Sequence, residues 1–186
     1  AEAGVAKSQL DAIAVGRGPG AFTGVRLAVA VAQGIALALD KPAVPVSTLA
    51  ALAMRGEGPR VLAAIDARMG EVYAAAFRRE GGEMAPQSAE TVGAPEAVRL
   101  PDADPDWEGV GTGFAAAEGY LQCGLASRLR RVDATALPHA ADVARLAAAA
   151  FARGESVAPE RLEPAYLRDN VALTLAQQQA LRDSRR

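Results

Sequence analysis

A single cysteine, Cys123, and a single histidine, His139, are all this 186-residue sequence holds of the side chains most used to bind transition metals and activate nucleophiles. One cysteine excludes an internal disulfide and fits a reducing, cytoplasmic compartment. One histidine excludes the paired imidazoles of the common hydrolytic metal sites. Aromatic residues make up only 4% of a chain that is 51% hydrophobic, so its core is built from Ala, Val and Leu. The formal net charge of −2 supplies no global pull towards nucleic acid or an anionic membrane. Arg26, Gln33, Asp40 and Lys41 interrupt or close the longest apolar run, so no membrane span is expected. No secretory signal is legible either.

Glycine is plentiful in one place. Asp11 to Val15 reads as a buried parallel strand and runs into Gly16-Arg17-Gly18-Pro19-Gly20-Ala21-Phe22-Thr23-Gly24-Val25-Arg26. Such a loop ahead of a helix either presents backbone amides to an anion or lets the helix pack tightly. Gly24 is followed by Val25 and Arg26 rather than Lys and Ser or Thr, so it is no ordinary triphosphate loop. The glycine spacing also fails the dinucleotide fingerprint. Arg26 opposes the helix dipole, which points to a role towards a ligand or partner.

The helix from Val25 to Leu39 is apolar nearly all round. Val25, Ala28, Val29, Val31, Ala32, Ile35, Ala36 and Leu39 form a face suited to a sheet, with Leu27, Ala30, Gly34, Leu37 and Ala38 on a second. Only Arg26 and Gln33 share the polar strip between them. A second apolar face, small at Gly34, needs a neighbouring helix, a second domain or another subunit.

Further along, Ala43–Val46 is extended, and Ser47 or Thr48 caps a short helix through Met54. Gly56-Glu57-Gly58-Pro59 reads as the linker between an N-terminal lobe, 1–56, and a C-terminal lobe, 60–186. Arg60–Asp66 and Glu71–Arg79 read as a hairpin and Gly81-Gly82 as a turn. A short helix is expected over Ala94–Pro101, then a strand at Trp107–Val110 followed by Gly111-Thr112-Gly113 and a helix. Asp142–Arg153 is a helix, and the polar tail from Asn170 is expected to fray.

Catalytic furniture is sparse. His139 follows Pro138 ahead of a helix, as a capping or surface residue does. A Ser–His–acid triad has no nucleophile-elbow sequence to support it. Asp66 and Glu71 are the best-placed carboxylates, yet both suit turn stabilisation. Cys123 is expected as a small buried hydrophobe. Gly111 and Gly113, like Gly18, Gly20 and Thr23, either admit a nucleotide or shape a tight turn. No catalytic or metal-binding residues are assigned. The Arg128-Arg130-Arg131 cluster reads as solvated surface.

The run from Asp11 to Leu27 resembles the signature of the TsaB family, also called YeaZ. Val46-Ser47-Thr48-Leu49, Ile65 to Tyr73, and Glu163-Pro164-Ala165-Tyr166-Leu167-Arg168 agree with that family in order and spacing. The resemblance implies an α/β fold of the actin-like, Hsp70-like and hexokinase-like kind with two related lobes. It implies a non-catalytic subunit that supports the related TsaD subunit in threonylcarbamoylation of adenosine 37 of tRNA, joined by the ATPase TsaE. ATP or ADP would belong to the assembled complex, and tRNA would be met indirectly. Members also self-associate through N-lobe helices, which makes Arg26, Leu27, Ala30, Gly34, Leu37 and Ala38 the candidate partner interface. The family pattern includes an Asp-Thr phosphate hairpin, a strand and a helix ahead of Asp11, roughly 35–45 residues that this sequence does not display. Two alternatives stay open: a glycoprotease-like peptidase or an ATP-binding enzyme using Gly18, Gly20, Thr23, Gly111 and Gly113, and direct tRNA binding by Arg128–Arg131 or the C-terminal arginines.

Overall fold

The computed structural model describes residues 4–168 and has two sheets. Strands β1 (Ile13–Gly16) and β2 (Ala43–Val46) pair in parallel and are joined by helix α1 (Phe22–Leu39). The short helix α2 (Thr48–Ala53) follows, and Ser47 caps it by accepting from the Ala50 amide at 3.0 Å. The linker leads into β3 (Arg60–Arg68) and β4 (Glu71–Glu80), an antiparallel hairpin closed at Met69-Gly70. β5 (Glu83–Pro86) and β6 (Thr91–Gly93) both pair with β4. β7 (Trp107–Val110) runs parallel to β3, and β8 (Leu129–Asp133) parallel to β7. Helix α3 (Tyr120–Gly124) lies before β8, and α4 (Ala140–Ala152) after it.

Alternation along β3 divides the core of the larger sheet. Val61 and Ala63 face Leu49, Leu52 and Phe77, whereas Leu62 and Ala64 face Trp107, Phe114 and Leu121. The smaller sheet is also covered on both sides. Val29 and Ala32 of α1 meet Val15 and Ala43, while α4 brings Ala147 against Val44 and Val46. A helix late in the chain thus completes the N-terminal sheet. The segment after α4 continues across it, with Val157 and Ala43 exchanging backbone hydrogen bonds of 2.8 and 2.9 Å.

Several expectations change. The helix proposed over Ala94–Pro101 shrinks to one 3-10 turn, Pro95–Ala97, because Val98 turns extended. The short strands β5, β6 and β8 were not legible. Cys123 is exposed, since Leu121 takes the inward face of α3 and Cys123 projects away from it. His139 caps α4 as expected, its Nδ1 accepting from the Ala141 amide at 3.2 Å. The arginines of the 128–131 cluster are not merely solvated. Arg128 donates to the Asp102 and Asp104 carbonyls, Arg130 holds Glu108, and Arg131 pairs with Glu57 at 2.8 Å. The proposed tail from Asn170, with the C-terminal arginines, lies outside the described residues.

The linker is clamped. The buried Glu108 carboxylate accepts from the Glu57 and Gly58 amides at 2.7 and 2.8 Å and from Arg130. Burial raises its pKa, but the amides and the Arg130 guanidinium outweigh this and hold it below the usual carboxylate value.

Candidate functional site

The glycine loop folds onto its own scaffold. Gly18, at φ +102°, donates its amide to Thr48 Oγ1 at 3.1 Å, and its carbonyl accepts from the Thr48 amide at 2.8 Å. A Cβ on Gly18 or Gly20 would come within 3.3 Å of the Val25 side chain. The glycines therefore let α1 start close against the turn. Gly111, at φ +108°, and Gly113 have a comparable reason. A Cβ on Gly111 would overlap the Ala64 carbonyl oxygen, and one on Gly113 would lie 2.7 Å from Ala64 Cβ.

Between these two turns opens a cleft of about 590 Å³, lined by Gly20, Phe22, Arg26, Asp66, Thr112 and Tyr166 among others. Of the five residues proposed for phosphate, only Gly20 lines it. Thr112, between Gly111 and Gly113, reaches it and accepts from the Asp66 amide at 3.1 Å. Thr23 is exposed on the first turn of α1.

Three arginines surround the cleft. Asp66 Oδ1 accepts from the Arg68 amide at 2.8 Å, a turn-stabilising contact, and Oδ2 pairs with the Arg68 side chain at 3.0 Å. Arg168 pairs with Glu71 and donates to the Ala67 carbonyl at 3.2 Å, while its Nε is buried without a partner. The Arg26 guanidinium lies 3.3 Å from the Phe22 ring centroid and 4.8 Å from that of Tyr166, within cation–π reach of both. Sequence reasoning missed Phe22, Tyr166 and Arg168 as site residues. Their local signal was an aromatic and an arginine in Pro164-Ala165-Tyr166-Leu167-Arg168, but the partners are far away in the chain. Among the described residues, no group of three His, Cys, Asp or Glu side chains is arranged to hold a metal.

The other candidate surface is the outer side of α1. Leu27 and Leu37 are 63% and 60% exposed, and Ala30, Gly34 and Ala38 are exposed beside them. Val31 and Ile35, expected against the sheet, join this outer face. Two strands about 5 Å apart make a sheet no wider than one helix, so only the stripe through Val25, Val29, Ala32 and Ala36 is covered. Gln33 leaves the expected polar strip and donates to the Pro159 and Leu162 carbonyls at 3.1 and 3.0 Å. Arg26 turns its head group to the cleft. By length and composition alone α1 is also long and apolar enough to cross a membrane, contrary to expectation; here its inner stripe packs on the small sheet.

The profile of the family described as "TsaD: tRNA N6-adenosine threonylcarbamoyltransferase" matches residues 1–175. The tRNA threonylcarbamoyladenosine biosynthesis protein TsaB of Escherichia coli is 44% identical over 177 residues, covering 91% of this chain and 75% of that protein. The protein of the same name from Haemophilus influenzae is 36% identical, covering 92% and 75%. A Pseudomonas aeruginosa crystal structure, described as an uncharacterized protein similar to peptidase YEAZ, superposes with a TM-score of 0.83 at 50% identity, covering 90% of this chain and 78% of that one. With an actin-like α/β fold, a profile match along nearly its whole length and relatives this similar, the chain belongs to the TsaB, or YeaZ, family.

Proposed function

We propose that this chain acts in tRNA threonylcarbamoyladenosine biosynthesis as a non-catalytic subunit that docks on a TsaD-type catalytic subunit in the cytoplasm. The observation that carries the reading is the outer face of α1. Leu27, Ala30, Val31, Gly34, Ile35, Leu37 and Ala38 form a contiguous apolar surface on a helix whose opposite stripe is already packed. An exposed apolar patch of this kind marks an interaction site. No Cβ at Gly34 would meet anything within 4 Å, so the helix offers a smooth centre for close approach by another helix. The same surface serves either the catalytic subunit or a second copy, and the ATPase of the pathway would join the assembled pair.

Gly34→Leu tests this directly. The variant should keep the parent's circular dichroism, with a thermal midpoint equal to or slightly above the parent's, while co-elution with the TsaD-type subunit is lost. Co-elution equal to the parent's would refute the assignment of this face. Gly34→Ala, which adds one methyl to the same spot, should weaken pairing less.

A further inference from the structure

We infer that the cleft between α1 and the β3–β4 turn seats an unpaired RNA nucleotide, with Arg26 on its phosphate and the rings of Phe22 and Tyr166 as stacking platforms. The inference rests on the reading that the chain works on tRNA and assigns it a direct RNA contact. Of the three guanidiniums lining the cleft, Arg68 is paired with Asp66 and Arg168 with Glu71. Arg26 has no acidic partner among the described residues; it makes one donation, to the Phe22 carbonyl at 3.2 Å. Its guanidinium lies 3.3 Å from one ring centroid and 4.8 Å from the other, and beyond that one donation its N–H groups make no hydrogen bond among the described residues. A guanidinium placed this way loses little freedom on binding an anion and matches a phosphate with two parallel hydrogen bonds.

The rings argue for a nucleotide over a carboxylate. Phe22 is 61% and Tyr166 60% exposed, and Met69 at the rim is 88% exposed. Beside their contact with Arg26, both rings keep enough exposed surface to meet a base. Aromatic rings interleaved with arginine are how proteins hold single-stranded nucleic acid. The cleft, about 590 Å³, falls within the range of pockets that take a ligand of this size. The Arg128–Arg131 cluster lacks this character, because its guanidiniums are engaged by carbonyls and carboxylates of the fold.

The test is fluorescence anisotropy with a labelled, unmodified anticodon stem-loop RNA, titrated with the full chain at several salt concentrations. Tyr166→Ala should weaken binding about fivefold or more. Arg26→Gln should weaken it and lower the slope of log affinity against log salt by about one. Both variants should retain the parent's thermal midpoint to within a few degrees. RNA affinity unchanged in both variants overturns the inference, as does free AMP binding as tightly as the RNA, which would make this a small-nucleotide pocket. Loss of co-elution with the TsaD-type subunit in both variants, with RNA affinity intact, would overturn it in favour of a protein-docking surface. Gly34→Leu separates the two readings: lost pairing with intact RNA binding supports both, retained pairing with intact RNA binding refutes the docking face and supports the seat, and lost RNA binding overturns the seat in favour of the outer face of α1.

Discussion

Replacing Glu108 by Gln removes one charge from the clamp on the Glu57-Gly58 segment and almost no volume. In the parent, one carboxylate oxygen takes the Glu57 and Gly58 amides and the other faces Arg130. In the variant one of these positions becomes an NH2 group, so a donor must confront donors, either the two amides or the guanidinium. The residue is 3% exposed, which leaves the carboxylate itself little access to solvent. Losing charge-assisted hydrogen bonds at a buried site of this kind costs about 3 kcal/mol at neutral pH. For a chain of this size that corresponds to a fall in thermal midpoint of about 6–12 °C. The readout is built in, because the single tryptophan, Trp107, is 1% exposed and adjoins Glu108 in β7. Urea unfolding followed by its fluorescence measures the difference. The pH dependence has a defined sign. Glu108 is held below its unfolded value in the folded state, so its contribution is complete above the ordinary carboxylate pKa and is lost as pH falls through the folded one. Because Gln does not titrate, the gap between parent and variant should be constant near neutrality and close below about pH 4. A variant within about 0.5 kcal/mol of the parent at neutral pH, or a gap that ignores acidification, would refute this account of the clamp.

Gly113→Ala should destabilise by about 1–3 kcal/mol in urea unfolding, since its Cβ would press on Ala64 backbone and side chain in the central strand. Gly34→Ala should do the opposite and raise the stability of the isolated chain by about 0.5–1 kcal/mol, because nothing crowds the site and glycine is a poor helix former. Ser47→Ala removes the cap of α2 and a hydrogen bond to Glu90; a loss of about 1–2 kcal/mol should appear in thermal unfolding. Amide hydrogen exchange at Glu57 and Gly58 should be slow in the parent and accelerate in the Glu108→Gln variant.

The sequence reading located β1, α1, β2, the β3–β4 hairpin, β7 and α4 because each has a local signature, a branched run, a helical period or a punctuating glycine. It missed β8 because Leu129-Arg130-Arg131-Val132-Asp133 carries adjacent charges, and the reason for Arg130 lies in Glu108, on the neighbouring strand. Burial on α1 differs from its periodicity for the same kind of reason. Period alone puts Val31 and Ile35 within reach of a sheet, but how far the sheet extends depends on strand pairing. The cleft was legible only in fragments. Its glycine turns stood out, yet Arg26 and Tyr166 come together through the returning segment, where Ala165 donates to the Arg17 carbonyl at 2.8 Å.

That return of the chain has a bearing on how the protein is made. The strands at 13–16 and 43–46 are synthesised well before the helix at 140–152 and the segment at 157–165 that cover them. At about 5–20 residues per second, translation leaves those strands waiting roughly 5–20 s for their cover. During that interval the β3–β4 hairpin and its neighbours gain the partners they need, whereas the β1–β2 pair still lacks α4 and the segment around Val157. Folding on the ribosome then completes the β3–β4 sheet before the β1–β2 sheet, which makes the α1 region a stretch for a chaperone to shield.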